Sequence, residues 1–305
     1  DILLENDKNP GHSNLITGQA LSKFQYLPKS QRAFISRLAE GTIERRIEED
    51  WLIDHVSSVS TKKMKPVIRN IMRMSAYQLK YMDSVPVSAV CNEAVKLARK
   101  RGFSSLTGFV NGVLRSLARD INNIQYPDKS DFVRYCMIRY SMPEYVVRIL
   151  MDECGSCTED VLKGFEKEHR LYIRCNTGLI TPGGLKKKLT DEGVTVEDTC
   201  VPYAFAISGY DYLADLTSFE EGLFQVQDLS SILAGLAVNP NPGDYIVDVC
   251  AAPGGKCLHA AQRGSDITVE ARDVSEAKVG LIRDNIERLH MDNVTAKVWD
   301  ATVKD

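Results

Sequence analysis

Apolar residues recur at helical spacing through the first 120 positions of the chain. Residues three or four positions apart share one face of a helix, so each such stripe predicts an amphipathic helix. The stripes are Ile35, Ala39, Ile43 and Ile47, then Val90, Ala94 and Leu97, then Val110, Val113, Leu114 and Leu117. Pro66 suits the first turn of a further helix that runs to about Met82. The pattern predicts a compact all-helical domain over residues 1–122.

The pattern changes from helices to strands between residues 123 and 218. Residues 129–167 show helical spacing that Pro143 and Gly155 interrupt. The segments that follow are short and rich in β-branched and aromatic residues, a composition that favours strands. The predicted strands are 171–175, 194–196 and 205–207, with a helix over 185–189 between the first two. We expect short helices here, followed by a small α+β subdomain.

Strands and helices alternate along the last part of the chain, residues 219–305. This alternation is typical of a parallel sheet built from βαβ units. The sequence therefore predicts a multidomain protein with three parts. These are an all-α N-terminal domain, a small α+β subdomain and an α/β Rossmann-like domain.

Length and composition support several domains and exclude two classes of protein. The chain has 305 residues and 44% hydrophobic content, more than one ordinary core needs. No apolar run approaches the roughly 20 residues that span a bilayer, and the N-terminal residues lack the order of a secretory signal. Eight cysteines at irregular spacing indicate reduced thiols rather than a disulfide framework. We therefore expect a soluble protein of the cytoplasm.

The net charge of -3 conceals two halves of opposite sign. Residues 1–120 contain 19 Lys and Arg against 12 Asp and Glu, a net charge of +7; the remaining residues contain 19 against 29, a net charge of -10. A basic segment joined to an acidic one suggests a polyanion-binding module attached to a catalytic body. The alternative is that these charges only solvate helix faces, and the charge count does not decide between the two.

A loop of small residues follows the apolar segment 245–247 and reads DVCAAPGGK over residues 248–256. Glycine lacks a Cβ, so Gly254 and Gly255 let the backbone approach a ligand closely at the carboxyl end of a strand. The spacing is not G-x-G-x-x-G, and Cys257 stands where a phosphate-binding P-loop needs Ser or Thr. Neither phosphate motif is therefore a good match.

The next two predicted strands each end at an aspartate, Asp273 and Asp300. A carboxylate at a strand end can accept hydrogen bonds from both hydroxyls of a ribose. Two carboxylates would repel a pyrophosphate, so the arrangement favours a ligand with hydroxyl and amino donors and positive charge, such as an adenosyl sulfonium. Either aspartate taken alone could instead cap a helix or be solvated in a loop.

With this loop and the two aspartates after it, the chain resembles the bacterial RNA 5-methylcytosine methyltransferases of the RsmB/Sun/Fmu type. The cofactor half is similar from Gly222 to Asp300, and its most specific part is the loop. The segments 31–34, 73–79, 90–95 and 108–115 are similar to the N-terminal domain of that family, which is related to the RNA-binding antitermination factor NusB. The resemblance thus covers nearly the whole chain.

The resemblance implies a cofactor, a substrate and a set of binding residues. The cofactor would be S-adenosylmethionine, and the substrate would be RNA, with small-subunit ribosomal RNA expected. Asp273 would hold the ribose, and Asp300 would lie near the adenine. The residues implied to line the cofactor site are Cys250, Ala251, Ala252, Pro253, Gly254, Gly255, Lys256, Asp273 and Asp300.

Methylation of cytosine C5 also needs a thiolate that adds to C6, because the ring carbon is a poor nucleophile. The family carries such cysteines in a Pro-Cys-Ser-Gly-like loop and a Thr-Cys-Ser-like loop after later strands. Neither motif occurs before Asp305. We therefore expect a truncated chain with no catalytic residue of its own, derived from a parent enzyme.

Cys154 and Cys157 are separated by two residues, a spacing common in zinc sites. No second pair of ligands follows at a suitable distance, so no metal site is predicted.

Two other functions remain open at this stage. The first is a non-catalytic RNA-binding protein with a remnant methyltransferase domain, and the second is a small-molecule methyltransferase. The candidate RNA contacts are the basic groups Lys62, Lys63, Lys65, Arg69 and Arg73, then Lys96, Arg99, Lys100 and Arg101, and finally Lys186, Lys187 and Lys188.

Overall fold

The computed structural model describes residues 1–11, 13–167, 170–264 and 266–303 of the chain, except the side chain of residue 14. It divides into two compact units, Asp1–Lys167 and Glu168–Asp305. The first unit is helical, and the second combines helices with two sheets. This order confirms the predicted fold class, with helices first and an α/β region after them. The three-part division at residues 122 and 218 stays a prediction.

Ten α-helices account for most of the described part of the first unit. They are α1 (Ile2–Lys8), α2 (Ser13–Ser22), α3 (Lys29–Glu44), α4 (Arg46–Val56), α5 (Pro66–Tyr81), α6 (Val87–Lys100), α7 (Thr107–Asp120), α8 (Phe132–Arg139), α9 (Glu144–Cys154) and α10 (Thr158–Phe165). Helix α5 begins at Pro66, as predicted. The stripe from Ile35 to Ile47 spans two helices, because α3 ends at Glu44 and α4 begins at Arg46.

The core of the first unit lies where α4, α5, α6 and α7 meet. Its side chains are almost completely buried, and part of them come from the predicted stripes, such as Ala94, Val113 and Leu117. They include Leu52, Ile53, Ile68, Met72, Cys91, Ala98, Val110, Leu114 and Leu117. The apolar periodicity of the sequence therefore located α6 and α7 and the faces that they bury, whereas the core residues of α4 and α5 lie outside the predicted stripes.

A buried acid connects these helices to the segment that follows them. Glu48 on α4 is fully buried, and its carboxylate accepts hydrogen bonds from the hydroxyls of Tyr81 and Tyr126. Nearby, Arg45 and Arg139 each place a guanidinium nitrogen 2.7 Å from the same oxygen of Glu166. Buried charges need such partners, so the network fixes α8 and the end of α10 against the helical core.

Glu49, the next residue on α4, has no comparable partners. Both of its carboxylate oxygens are buried without a hydrogen bond in the described structure. Burial raises the pKa of Glu49 well above its usual value, and the nearby Arg73 opposes this effect without cancelling it. The folded protein therefore favours a protonated Glu49.

We expect Glu49→Gln to raise the free energy of unfolding near pH 8 and to change it little near pH 4. An unfolded chain ionises a glutamate above about pH 4.3, whereas the folded chain must keep Glu49 protonated to a higher pH. The wild-type protein therefore loses stability as pH rises from the unfolded pKa toward the raised folded pKa, and glutamine does not titrate. Urea denaturation at a series of pH values measures the difference. A difference that stays constant with pH would contradict this account.

The second unit begins with a four-stranded antiparallel sheet in the order β2-β3-β1-β4. Its strands are β1 (Leu171–Cys175), β2 (Thr195–Asp198), β3 (Ala204–Ser208) and β4 (Phe224–Val226), and its helices are α11 (Pro182–Asp191) and α12 (Thr217–Glu220). One face packs on α11 through Ile173, Leu185 and Leu189, all fully buried. Strand β4 belongs to the segment that resembles the cofactor half of the family, yet it pairs with β1 in this sheet.

A parallel sheet in the order β5-β6-β7 completes the second unit. Its elements are α13 (Leu229–Val238), β5 (Tyr245–Asp248), α14 (Gly255–Gln262), β6 (Thr268–Asp273), α15 (Glu276–Arg288) and β7 (Val294–Val298). The registers pair Asp248 with Ala271 and Asp273 with Val298. Parallel strands end at the same edge of a sheet, so the three segments that follow these strands meet there.

Candidate cofactor site

The loop after β5 is held in a tight turn by its own backbone. Ala251 N donates to Arg272 O at 2.9 Å, which ties the loop to β6, and Gly254 N donates to Ala251 O at 2.6 Å. The Ala252–Pro253 peptide is cis. Gly254 has φ +108°, and a Cβ there would lie 2.8 Å from Leu258 Cδ1. Only glycine suits this position, and helix α14 begins directly after it.

Asp273 lies against this loop and is buried, with 5% of its surface exposed. One carboxylate oxygen accepts from Ala252 N at 3.2 Å, and the other accepts from Val274 N at 2.9 Å. Lys278 places its Nζ 3.5 Å from the same carboxylate. A carboxylate has about four acceptor sites, so Asp273 can hold the loop and still accept from hydroxyl groups.

Asp300 follows β7 and has a different environment. It is exposed, and one oxygen accepts from Thr302 Oγ1 at 2.7 Å and from Thr302 N at 2.9 Å. These two hydrogen bonds lower the pKa of Asp300. Trp299 N donates to Asp273 O at 2.9 Å, so the ends of β6 and β7 are tied together. The structure thus places both aspartates at one edge of the sheet, with Asp273 buried at the loop and Asp300 open to solvent.

The other predicted site residues line the same loop with mixed exposure. Ala251 and Gly254 are buried, Ala252 and Gly255 are partly buried, and the remaining three are exposed. Those three are Cys250, Pro253 and Lys256. The carbonyl of Pro253 accepts from Asn285 Nδ2 at 3.0 Å, so α15 also holds the loop. All nine predicted residues therefore lie at the carboxyl edge of the parallel sheet.

A buried polar pair behind the loop was missed by the sequence analysis. Arg174 on β1 is fully buried, and its Nε donates to Gln227 Oε1 at 2.8 Å. A Cβ on Gly255 would lie 3.7 Å from Gln227 Cγ, so Gln227 abuts the first turn of α14. Burial lowers the pKa of Arg174 to about 10. The available signal was an arginine inside an otherwise apolar and aromatic strand.

His259 lies on α14, in the same layer between the antiparallel sheet and the parallel one. Its Nε2 is 3.0 Å from the hydroxyl of Tyr203. Burial lowers the pKa of His259 to about 3, so the imidazole is neutral at physiological pH. Gly235 on α13 is required beside it, because a Cβ there would lie 2.3 Å from His259 Nδ1. The polar layer therefore consists of neutral and singly charged groups that fix α14 in place.

Four of the eight cysteines are buried, whereas Cys250 is exposed in the loop itself. Cys91, Cys136, Cys175 and Cys257 are buried. Burial raises the pKa of Cys257, the one nearest the loop in sequence among these, to about 12. No group of three or more His, Cys, Asp or Glu side chains that could hold a metal ion occurs among the described residues. Cys154 and Cys157 thus have no further ligands beside them there.

Several candidate RNA contacts have acidic partners within the protein. Arg73 is buried, and its Nε and Nη2 donate to the two carboxylate oxygens of Asp50 at 2.7 and 2.6 Å. Arg69 pairs with Asp7 at 3.3 Å. Lys186 and Lys188 pair with Asp198 and Glu221, respectively. Arg73 in particular supports the fold and does not face solvent, although its helical position suggested a surface charge.

Two protein families match separate parts of the chain. Residues 4–119 match the NusB family, and residues 235–305 match the 16S rRNA methyltransferase RsmB/F family. The chain therefore joins a NusB domain to an RsmB/F methyltransferase domain. The RsmB/F match contains the loop and both aspartates, and the NusB match contains α5, α6 and α7. The predicted family resemblance is confirmed.

Whole-chain relatives agree with this assignment. The chain is 29% identical over 308 residues to the probable ribosomal RNA small subunit methyltransferase B of Bacillus subtilis (strain 168), covering 99% of this chain and 67% of the relative. It is 28% identical to the probable ribosomal RNA small subunit methyltransferase B of Synechocystis sp., covering 98% and 67%. This chain thus spans about two thirds of the length of these RsmB/F relatives.

A solved structure has the same fold. The crystal structure of PH0851 superimposes with a TM-score of 0.75 at 22% sequence identity, covering 98% of this chain and 67% of that one. The likeness supports the fold of the NusB and RsmB/F domains described above.

Among the described residues, no helix is both long and apolar enough to span a lipid bilayer.

Proposed function

We propose that this chain binds S-adenosylmethionine at the 250–256 loop and serves the methylation of cytosine C5 in small-subunit ribosomal RNA. The observation that carries the proposal is the position of Asp273, whose buried carboxylate holds the loop backbone and keeps acceptor sites for hydroxyl groups. The RsmB/F match over residues 235–305 supports the choice of cofactor and reaction. With ribosomal RNA as its substrate, the protein would act in the cytoplasm.

The residues of the loop suit an adenosyl sulfonium. The site carries carboxylates and no phosphate-binding motif, so it favours hydroxyl donors and positive charge over a pyrophosphate. Asp273 would accept from the ribose hydroxyls, and the Gly254–Gly255 backbone would lie close to the ligand because neither residue has a side chain. Asp300 would face the nucleoside from the end of β7. Arg174 and Gln227 would keep the first turn of α14 in position.

S-adenosylmethionine, when bound, supplies an electrophilic methyl group. Cytosine C5 becomes nucleophilic after a thiolate adds to C6, and a base must later remove the C5 proton. Four of the described cysteines are buried, and Cys154, Cys157 and Cys200 precede the parallel sheet. Cys250 is exposed in the loop itself, where the family resemblance makes it part of the cofactor site and not the nucleophile. The role that we assign to this chain is therefore to bind the cofactor and the RNA.

Calorimetric titration with S-adenosylhomocysteine tests this proposal on the chain as it stands. We expect one binding site per chain, and no binding of a nicotinamide dinucleotide, because the carboxylates disfavour a pyrophosphate. Saturation by the dinucleotide, or no heat with S-adenosylhomocysteine, would contradict the proposal. Binding of RNA without binding of S-adenosylhomocysteine would instead favour an RNA-binding protein with a remnant methyltransferase domain.

A further inference from the structure

The outer surface of α6 and α7 carries cations without acidic partners. Residues 87–121 contain six Lys and Arg against two Asp and Glu. In the part of the chain that the structure describes, Arg99, Lys100, Arg115 and Arg119 form no ion pair and are exposed. By contrast, Arg45, Arg73 and Arg139 of the same unit are all paired. These four cations are thus available to a ligand in solution.

The four cations belong to one packed pair of helices. Helices α6 and α7 are neighbours joined by residues 101–106. Arg115 on α7 lies close enough to Cys91 on α6 to affect its thiol: burial raises the pKa of Cys91, and the Arg115 charge opposes the rise. Arg115 and Arg119 are one helical turn apart, and Arg99 and Lys100 end α6. The positive charge is therefore concentrated on one helical hairpin.

Two glycines on α7 stand in line with its arginines. Gly108, Gly112, Arg115 and Arg119 follow one another at spacings of four, three and four, which places them on one helix face. Both glycines are exposed, and no atom lies within 4 Å of the position where a Cβ would be. Gly41, in contrast, has a packing reason, because its Cβ would meet the ring of Tyr77 at 2.0 Å.

Packing therefore does not explain why α7 has glycine at these two positions. Glycine weakens the interior of a helix relative to alanine, and this cost applies to Gly112, whereas Gly108 lies in the first turn of α7. The two glycines leave the helix backbone uncovered on an open face beside two arginines. A ligand can therefore approach this backbone more closely than it could if these positions carried side chains. A bulky backbone such as a sugar-phosphate chain needs this kind of space between the cations that contact its phosphates.

The chemistry of the same surface disfavours a protein partner. Among the described residues of α6 and α7, the exposed large apolar side chain is Val87, at the first position of α6. Protein interfaces rely on clustered aromatic and apolar anchors, and a single valine at the end of a helix does not form such a cluster. It presents Asn92, Asn111 and Ser116 between the cations, groups that donate hydrogen bonds to phosphate and sugar oxygens.

We propose that the α6–α7 face, defined by Arg99, Lys100, Gly108, Gly112, Arg115 and Arg119, binds the sugar-phosphate backbone of RNA. This assignment of the α6–α7 face depends on the proposed function in one respect, which is that the substrate is RNA. The proposal assigns RNA docking to the helical unit, separate from the cofactor loop of the second unit. The contacts are to the backbone, so this face positions the RNA and does not read its sequence.

The test compares the double variant R115A/R119A with R148A/K163A in the full chain. Arg148 and Lys163 are exposed, lie in the same helical unit and form surface ion pairs, so the control removes the same charge. The probe is a fluorescein-labelled hairpin of small-subunit ribosomal RNA, and binding is followed by anisotropy. We expect R115A/R119A to weaken binding by about tenfold near 0.1 M salt and to reduce the salt slope by about two, because each lost phosphate contact removes close to one unit.

Gly112→Leu separates RNA contact from a structural effect. A Cβ at this exposed position meets no atom within 4 Å, and leucine is a better helix former than glycine, so the melting temperature should hold or rise. RNA affinity should nevertheless fall severalfold, because the side chain covers the exposed backbone. A role in folding alone would not produce opposite effects on stability and RNA affinity.

The outcomes also separate this inference from the proposed function. Equal RNA affinity of R115A/R119A and R148A/K163A would overturn the inference. It would favour an acidic protein as the partner of this face. A wild-type chain that binds no RNA would overturn it as well. Titration of the same variants with S-adenosylhomocysteine reports on the cofactor loop alone. RNA binding through this face without cofactor binding would keep the inference and defeat the proposed function.

Discussion

Replacing Asp273 with alanine is expected to raise the dissociation constant of S-adenosylhomocysteine by about tenfold or more. Removal of a charged hydrogen-bond acceptor costs roughly 1.5–3 kcal/mol, and 1.4 kcal/mol is a factor of about ten in affinity. Asp273 is buried, so its carboxylate is shielded from the solvent that weakens exposed interactions. The change also frees Ala252 N, which loosens the loop. Isothermal titration calorimetry measures the effect.

Two further variants make this result interpretable. Asp292→Ala is the matched control, because Asp292 is exposed and lies just before β7, at the opposite edge of the sheet from the loop. Asp273→Asn keeps the size of the side chain and one acceptor oxygen, so it tests the charge with less risk to the fold. Asp300→Ala should have a smaller effect than Asp273→Ala, because Asp300 is exposed. An unchanged affinity in both Asp273 variants would remove this residue from the site.

Gly222→Ala is expected to destabilise the second unit by roughly 2–5 kcal/mol, the combined cost of overpacking and of a left-handed backbone at a non-glycine residue. Gly222 has φ +71°, and a Cβ there would lie 1.9 Å from the carbonyl oxygen of Arg288. The atoms nearest to this Cβ position belong to the backbone of Arg288 and Leu289, so they cannot rotate away as a side chain could. Asn176 joins this contact, since its Nδ2 donates to the carbonyls of Gly222 and Leu289, each at 3.0 Å.

Gly280→Ala provides the control for this second prediction. Gly280 lies in α15, and no atom lies within 4 Å of its Cβ position, so alanine should be neutral or stabilise the helix by up to about 1 kcal/mol. Hydrogen exchange of the β1 and β6 amides during urea titration reports on the second unit alone. Similar protection of the two variants would show that the turn after α12 can shift away from α15 at little cost.

The sequence predicted the parts of the fold that depend on local pattern. Period-3.6 stripes located α6 and α7, and the alternation after residue 219 predicted the parallel sheet. The loop and the two aspartates were found because they directly follow strands, and parallel strands share a carboxyl edge. The stripe from Ile35 to Ile47 was less informative, because it continued in phase across a break between two helices.

The sequence by itself determined the order of the elements, the position of the loop and the strand-end placement of Asp273 and Asp300. The tertiary structure alone decided which of these acids is buried, that Arg73 pairs with Asp50, and that Arg174 reaches Gln227 behind the loop. The physical reason is distance along the chain: helix and strand patterns arise from neighbouring residues, whereas Arg174 and Gln227 are 53 positions apart. Burial and the choice of polar partners depend on packing between such distant segments, which no local pattern records.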